Sequence, residues 1–280
     1  MSQQIHWFPG HMKKALNNIS EKIKLVDVVI EILDARAPAS SINPDLEKTI
    51  KNKKRLAVVS KADLADPVQT KLWANELKKE FDALVILNLT DPKSTKILSN
   101  EVSKLGKDKR EKEITRGMKP QPIKAMIIGI PNVGKSSLIN RIANRKAAGV
   151  QNKPGFTRGE QFIKVSNDFI LLDTPGVLPM NYEDKKVATH LALIGSVRED
   201  ILPNEELVKS LLYILRDFYP DALRDRFGID IIGDEQEVLK QIAIRRGFKT
   251  SGGLDTEKAE ITLLKDFKDG RLGLITLDRR

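Results

Sequence analysis

Gly129, Ile130, Pro131, Asn132, Val133, Gly134, Lys135 and Ser136 stand in a row near the middle of the chain. Glycine, four residues, glycine, lysine and serine is the spacing of a loop that cradles a phosphate chain. Its glycines let backbone N–H groups, those of Val133 and Gly134 among them, turn onto phosphate oxygens. A helix opening after Gly134 adds its positive end and the first-turn residues Ser136 and Ser137. Lys135 can reach the β- and γ-phosphates, and the Ser136 hydroxyl can ligate magnesium. The competing reading is a glycine-rich turn without function. Its place between an apolar run, Ile123 to Gly129, and a helical stretch, Ser136 to Ala143, favours phosphate binding.

Two further elements fit the same chemistry. Asp173, Thr174, Pro175 and Gly176 follow the apolar run Phe169 to Leu172. Asp173 would hold the magnesium hydration shell, and Gly176 would offer its N–H to the γ-phosphate. Thr157 lies between the two phosphate elements and is the natural second magnesium ligand when the γ-phosphate is present. Taken alone it would be a surface hydroxyl. Ser60, Lys61, Ala62 and Asp63 form a candidate guanine reader. The Asp63 carboxylate can accept both N1–H and N2–H of guanine, which adenine does not offer, and the Lys61 stem can pack along the base. Such readers usually open with asparagine. Ser60 is shorter and lacks the amide, which puts one hydrogen bond in question. After the next strand, Asn88 and Thr90 are the polar candidates beside the base.

The base reader precedes the phosphate loop, whereas unpermuted GTP-binding domains have the opposite order. The nucleotide domain therefore reads as circularly permuted. Leu25 to Leu33, Leu56 to Val59 and Leu84 to Leu87 read as buried strands, with helical spacing over Asn43 to Ile50 and Pro67 to Phe81. This alternation predicts a mainly parallel sheet with helices on both faces. Gly106 to Pro122 is crowded with lysine and arginine and reads as a helix end followed by an exposed connection. Phe162 to Val165 and Phe169 to Leu172 read as a hairpin. From about Asp184 helical periodicity dominates, with Leu207, Leu211, Leu212, Leu215 and Phe218 as one apolar series. The expected organisation is an α/β domain over 1–183 and a small, mainly helical domain over 184–280. The segment after Gly176 would run into the helical part, so a shift on losing the γ-phosphate would pull on it.

The chain has 280 residues, no cysteine and a formal net charge of +10. Absent cysteine rules out disulfides, iron–sulfur clusters and thiolate zinc sites, and is compatible with a cytoplasmic location. No apolar run approaches the roughly 18 residues of a membrane span. The positive charge suits a polyanionic partner, most simply nucleic acid, although solvated lysines would give the same sum.

With these motifs in this order the chain resembles the circularly permuted GTPases. Trp7, Phe8, Pro9, Gly10, His11 and Met12, then Asp34, Ala35, Arg36 and Pro38, then Ser251, Gly252 and Gly253 make it similar to one branch, the ribosome biogenesis GTPase A family. Other branches carry an N-terminal barrel or a cysteine-based zinc module, for which this chain has neither the residues nor the cysteines. The resemblance implies a GTPase that binds precursors of the large (50S) ribosomal subunit, promotes a late assembly step, and leaves as the GDP form. It implies ribosomal RNA contacts from the helical domain, for which Arg245, Arg246 and Lys249 are candidates beside the reading of a solvated helix face. The expected form away from the particle is a monomer.

The position after Gly176, where many GTPases carry a water-orienting glutamine, is Val177, followed by Leu178. Neither can orient water, so that group must come from elsewhere. The resemblance suggests His11, on the expectation that the N-terminal segment enters the sheet beside the strand bearing Asp173. Read without it, His11 is a helix-start or packing residue. Asn132 occupies the loop position that coordinates potassium in related potassium-stimulated GTPases; the alternative is a polar turn residue. Two other functions compete with this one. One is a nucleotide-gated RNA-binding module with incidental turnover. The other is a metabolic kinase, in which 60–63 and 173–176 would have no clear use.

Overall fold

The computed structural model describes residues 5–6, 9–88, 91, 93–144, 162–172, 177–178, 181–182, 184–197 and 201–280. The first half runs β1 (Ile5–His6), α1 (Pro9–Lys22), β2 (Val28–Asp34), α2 (Pro44–Ile50), β3 (Lys54–Ser60), α3 (Pro67–Leu77) and β4 (Ala83–Leu87). It continues through α4 (Ser94–Leu105), α5 (Lys107–Thr115), β5 (Ile123–Ile128), α6 (Lys135–Asn144), β6 (Phe162–Lys164) and β7 (Phe169–Leu172). Then come β8 (Asn181–Tyr182), α7 (Lys185–Leu193), α8 (Asn204–Phe218), α9 (Ala222–Phe227), α10 (Glu235–Arg246), β9 (Lys249–Thr250), β10 (Gly253–Leu254) and α11 (Thr256–Lys268).

Six strands form the main sheet in the order β4-β3-β2-β5-β7-β6, parallel except for the β6–β7 hairpin. Every residue of β2 is buried, as a central parallel strand covered on both faces requires. Its alternate residues serve different layers. Val28, Ile30 and Ile32 join Ala125 and Ile127 of β5 against α4 and α6. Val29 joins Met126 and Ile128 against Ile19, Leu46 and Ile50 of α1 and α2. The first of these cores continues without a break into Leu191, Leu211, Leu215, Ile242 and Leu263 of the C-terminal helices.

Caps set the helix starts where turn chemistry predicts them. The Asn43 side chain accepts from Asp45 N at 2.9 Å, and the Asp66 side chain accepts from Val68 N at 2.8 Å, each ahead of a proline in the first turn. The last residues of the chain return to the sheet. Leu277 N donates to Arg36 O at 2.7 Å, and Asp278 accepts from Ser40 N at 2.8 Å, from Ser40 Oγ at 2.7 Å and pairs with His190 Nδ1 at 2.7 Å. Arg279 and the Tyr219 hydroxyl both donate to the Asp66 carboxylate.

Several expectations need correction. Leu84 to Leu87 is not a buried strand: β4 lies at the edge of the sheet, only Leu87 of it is buried and Ile86 is 44% exposed. Residues 107–115 form a helix, α5, rather than an open connection. It buries no side chain, so no apolar stripe announces it. Lys107–Glu111 and Lys109–Glu113 pairs along it, with Lys109–Asp27 and Arg110–Asp168 pairs at 2.9 Å, hold it in place. Phe218 is not an inward member of the α8 series. It ends the helix 44% exposed, with the Arg279 guanidinium 4.5 Å above its ring. The N-terminal segment does not enter the sheet beside β7. β2 lies between β3 and β5, and β1 pairs with β8 in a separate ribbon, Ile5 opposite Tyr182. Helical periodicity, read from the sequence over Asp184 to Phe248, extends further, into α11, and Gly252 and Gly253 shape the β9–β10 turn.

Candidate functional site

The sheet changes direction of winding at β5: strands on one side precede it in the chain, and those on the other side follow it. Crevices at such switch points, outside the carboxyl ends of parallel strands, are where nucleotides bind. The loop 129–134 leaves β5 there, and Ser60 to Asp63 leave β3 two strands away on the same edge. Asp34, Ala35 and Arg36 leave β2 between them.

The loop's conformation explains its residue types. Gly129 has φ +145, and a Cβ there would stand 2.7 Å from the backbone oxygen of Ile32. Gly134 has φ +101 and Asn132 φ +60, a left-handed position that asparagine tolerates better than most residues. Leu138 N donates to Gly134 O, so α6 begins directly from the loop. Ser136 and Ser137 are exposed on its first turn. Lys135 is buried, and its ammonium reaches back over the loop to Ile130 O at 2.6 Å. Leu138, Ile139 and Ile142 face the core as their spacing predicts.

The 60–63 segment is bonded to this loop. The buried Ser60 hydroxyl donates to Val133 O at 2.7 Å and lies 3.0 Å from Leu33 O. A hydroxyl in place of an amide thus still ties this segment to the phosphate loop. Lys61 has φ 55, which turns its stem across the crevice to Asn132 O at 2.6 Å. Asp63 is exposed, with no partner for its carboxylate among the described residues. Asn88 is exposed at the end of β4, and its carbonyl accepts from Ser94 Oγ at 2.5 Å.

Residues that sequence reasoning did not assign to the site also meet here. Asp34 is fully buried and holds the Arg36 guanidinium by two bonds, Nη2 to Oδ2 at 2.8 Å and Nε to Oδ1 at 3.0 Å. Its Oδ2 also lies 3.0 Å from Lys61 Nζ. Burial would raise this carboxyl, but the charges and hydrogen bonds of Arg36 and Lys61 outweigh it and hold the group below the usual range. The Asn132 amide donates to Gly195 O at 2.6 Å, on the turn that ends α7. Val177 and Leu178 are buried, and Val177 N donates to Gly129 O at 3.2 Å.

Thr90, Thr157, Asp173 and Gly176 lie outside the described residues. His11 lies on α1, and its side chain is likewise outside them. Among the described residues no group of three His, Asp or Glu side chains could hold a metal unaided. A hydroxyl such as that of Ser136 fits magnesium, a hard cation that takes one or two side-chain oxygens plus phosphates and water. Arg245 is exposed at the end of α10, and Lys249 is exposed in β9. Arg246 is part of a cluster: its guanidinium stands 4.9 Å over the Phe227 ring and 4.0 Å from Asp266, a buried carboxylate that Arg226 and Arg271 also bind.

Comparison with known proteins adds to this geometry. A family model described as a 50S ribosome-binding GTPase matches residues 124–241. Ribosome biogenesis GTPase A of Bacillus cereus is 38% identical over 276 residues, covering 98% of this chain and 93% of that protein. The protein of the same name from Bacillus pumilus is 37% identical, covering 98% of each. GNP-bound YlqF from T. maritima shares the fold, with a TM-score of 0.67 at 24% identity over 95% of this chain and 98% of that one.

Proposed function

Because this chain belongs to the ribosome biogenesis GTPase A family, we propose that it binds GTP at the carboxyl edge of its permuted sheet and hydrolyses it on precursors of the large (50S) ribosomal subunit, late in their assembly. The observation that carries the nucleotide reading is the bonding of 60–61 to the phosphate loop: Ser60 to Val133 O and Lys61 to Asn132 O. It supports reading the two segments as a guanine reader and a phosphate cradle for one ligand. Asp63, exposed beside Lys61, supplies the carboxylate for guanine, with Asn88 near the base.

Val133, Gly134, Lys135, Ser136 and Ser137 hold the phosphates, and Gly176 adds an N–H to the γ-phosphate. Ser136, Thr157 and Asp173 would hold magnesium, which supplies charge neutralisation on the β- and γ-oxygens when bound. The side-chain oxygen of Asn132 is the atom offered to potassium. Since Val177 and Leu178 are buried, the water-orienting group is taken to be His11. The β1–β8 pairing supports this by bringing the chain's start to the segment that follows 177–178.

Residues 1–183 form the nucleotide domain and 184–280 the RNA-contacting domain in this reading, with Arg245, Arg246 and Lys249 facing ribosomal RNA. The net charge of +10 and the exposure of these three support it. The protein is a cytoplasmic monomer away from the particle. Among the described residues no helix is long and apolar enough to cross a membrane.

The test is GTP turnover with and without purified precursor and mature large subunits, in potassium and in sodium, for the unaltered chain and His11→Ala. The expected result is strong stimulation by particles that collapses in His11→Ala. Very slow turnover even with particles would favour a nucleotide-gated RNA-binding protein instead.

A further inference from the structure

Five contacts close a ring that begins and ends on one turn of the helical region. Ile194 O accepts from Arg36 Nη2 at 3.3 Å, Arg36 binds Asp34, Asp34 binds Lys61, Lys61 donates to Asn132 O, and Asn132 donates to Gly195 O. Ile194 caps the C-terminus of α7. The other arm of Arg36 donates to Lys268 O, on the last residue of α11, at 3.1 Å. A buried guanidinium thus sits against two helix C-termini, where a cation is favoured, while its remaining donors grip Asp34.

The ring acts on Lys61. Its side chain is 25% exposed, and in the reading of the site above it stacks against the base. A free lysine stem would lose rotamer entropy on being fixed by a ligand. Here the ammonium is already fixed between a backbone carbonyl and a carboxylate, so the ligand meets a preorganised stem. Lys61 is set by Asp34, and Asp34 is set by an arginine whose other bonds all go to the helical region.

We propose that Asp34 is a positioning residue for guanine-nucleotide binding, holding Lys61 in its stacking place, and that Arg36 makes this hold depend on the seating of α7 and α11. The seat of the helical region and the occupancy of the base site are then linked at the base end of the crevice, apart from any movement at the γ-phosphate. This rests on the reading of Lys61 as the base lysine.

The test is a double-mutant cycle on GDP affinity with Lys61→Met, Asp34→Asn and the pair. Each single change is expected to weaken GDP by about tenfold, the scale of one charge-assisted contact, and the pair to be no weaker than Lys61→Met alone. Multiplying losses would overturn the proposal, because a carboxylate that only supports the fold would not act through Lys61. Weakening by Lys61→Met but not by Asp34→Asn would overturn the positioning role and leave the base lysine standing. Unchanged binding in Lys61→Met would overturn both.

Asp34→Asn leaves Arg36 buried without a charge partner and can fail to fold. A second measurement therefore uses Lys61→Met alone: hydrogen exchange of the Gly195 and Ser196 amides, free and saturated with GDP. GDP is expected to slow this exchange in the unaltered chain and not in Lys61→Met. No slowing in the unaltered chain, or equal slowing in both, would overturn the linkage.

Discussion

The hydroxyl of Ser60 donates to the carbonyl of Val133 across 2.7 Å, in a fully buried position. One hydrogen bond thus fastens the end of β3 to the phosphate loop. Ser60→Ala leaves that carbonyl without its donor, at a cost of about 1–3 kcal/mol. The unfolding midpoint should fall and GDP affinity should drop with it. A midpoint unchanged in urea would show that the bond carries no weight.

Gly129 admits no side chain. Its φ of +145 is foreign to L-residues, and its missing Cβ would meet backbone, the oxygen of Ile32 at 2.7 Å. Gly129→Ala should therefore displace the loop from β2 and abolish measurable GDP binding. Gly228→Ala makes the comparison: φ is +68 there with nothing within 4 Å, so only the left-handed backbone cost of about 1–2 kcal/mol applies. Equal effects of the two on GDP affinity would contradict the close approach.

Asp278 fastens the end of the chain to Ser40 and His190. Asp278→Ala leaves buried donors unpaired and should cost about 3 kcal/mol. Arg280→Ala removes a half-exposed side chain that pairs with Glu76 and lies over Trp73, and should cost under about 1 kcal/mol. Urea titrations of both variants check this; similar losses would mean that the tail is held by its rim.

The strands and the strand–loop–helix passage from β5 to α6 were legible because their signals are local. Apolar runs ended at turn residues, and Asn43 and Asp66 stood one residue before a proline. The ring through Asp34, Arg36 and Lys61 was not legible as part of the site. Its bonds join residues far apart in sequence, Arg36 to Ile194 and Asn132 to Gly195, and nothing local marks such partners. α5 was missed for the opposite reason: its sequence is local, but it has no apolar face to read. Asn132 proved to be a turn residue by its φ of +60, which leaves its candidacy for potassium untouched.

Asp34 also gives a pH signature. Burial opposes its charge, but Arg36 and Lys61 hold its carboxyl below the ordinary value. Its stabilising share is therefore complete above the unfolded-state value, about 3.9, and is lost as pH falls through the lower folded value. The stability gap between the unaltered chain and Asp34→Asn should stay level from pH 7 to about 5 and close only below about 4. A gap that closes between pH 7 and 5 would mean that another group governs it.

The measurement that tests the account most directly is co-sedimentation of the protein with large-subunit precursors, bound to a non-hydrolysable GTP analogue or to GDP. The account predicts that the GTP-analogue form travels with the particles and the GDP form stays behind. Equal recovery in both states would contradict it, because the nucleotide in the crevice would then not govern the ribosomal partner.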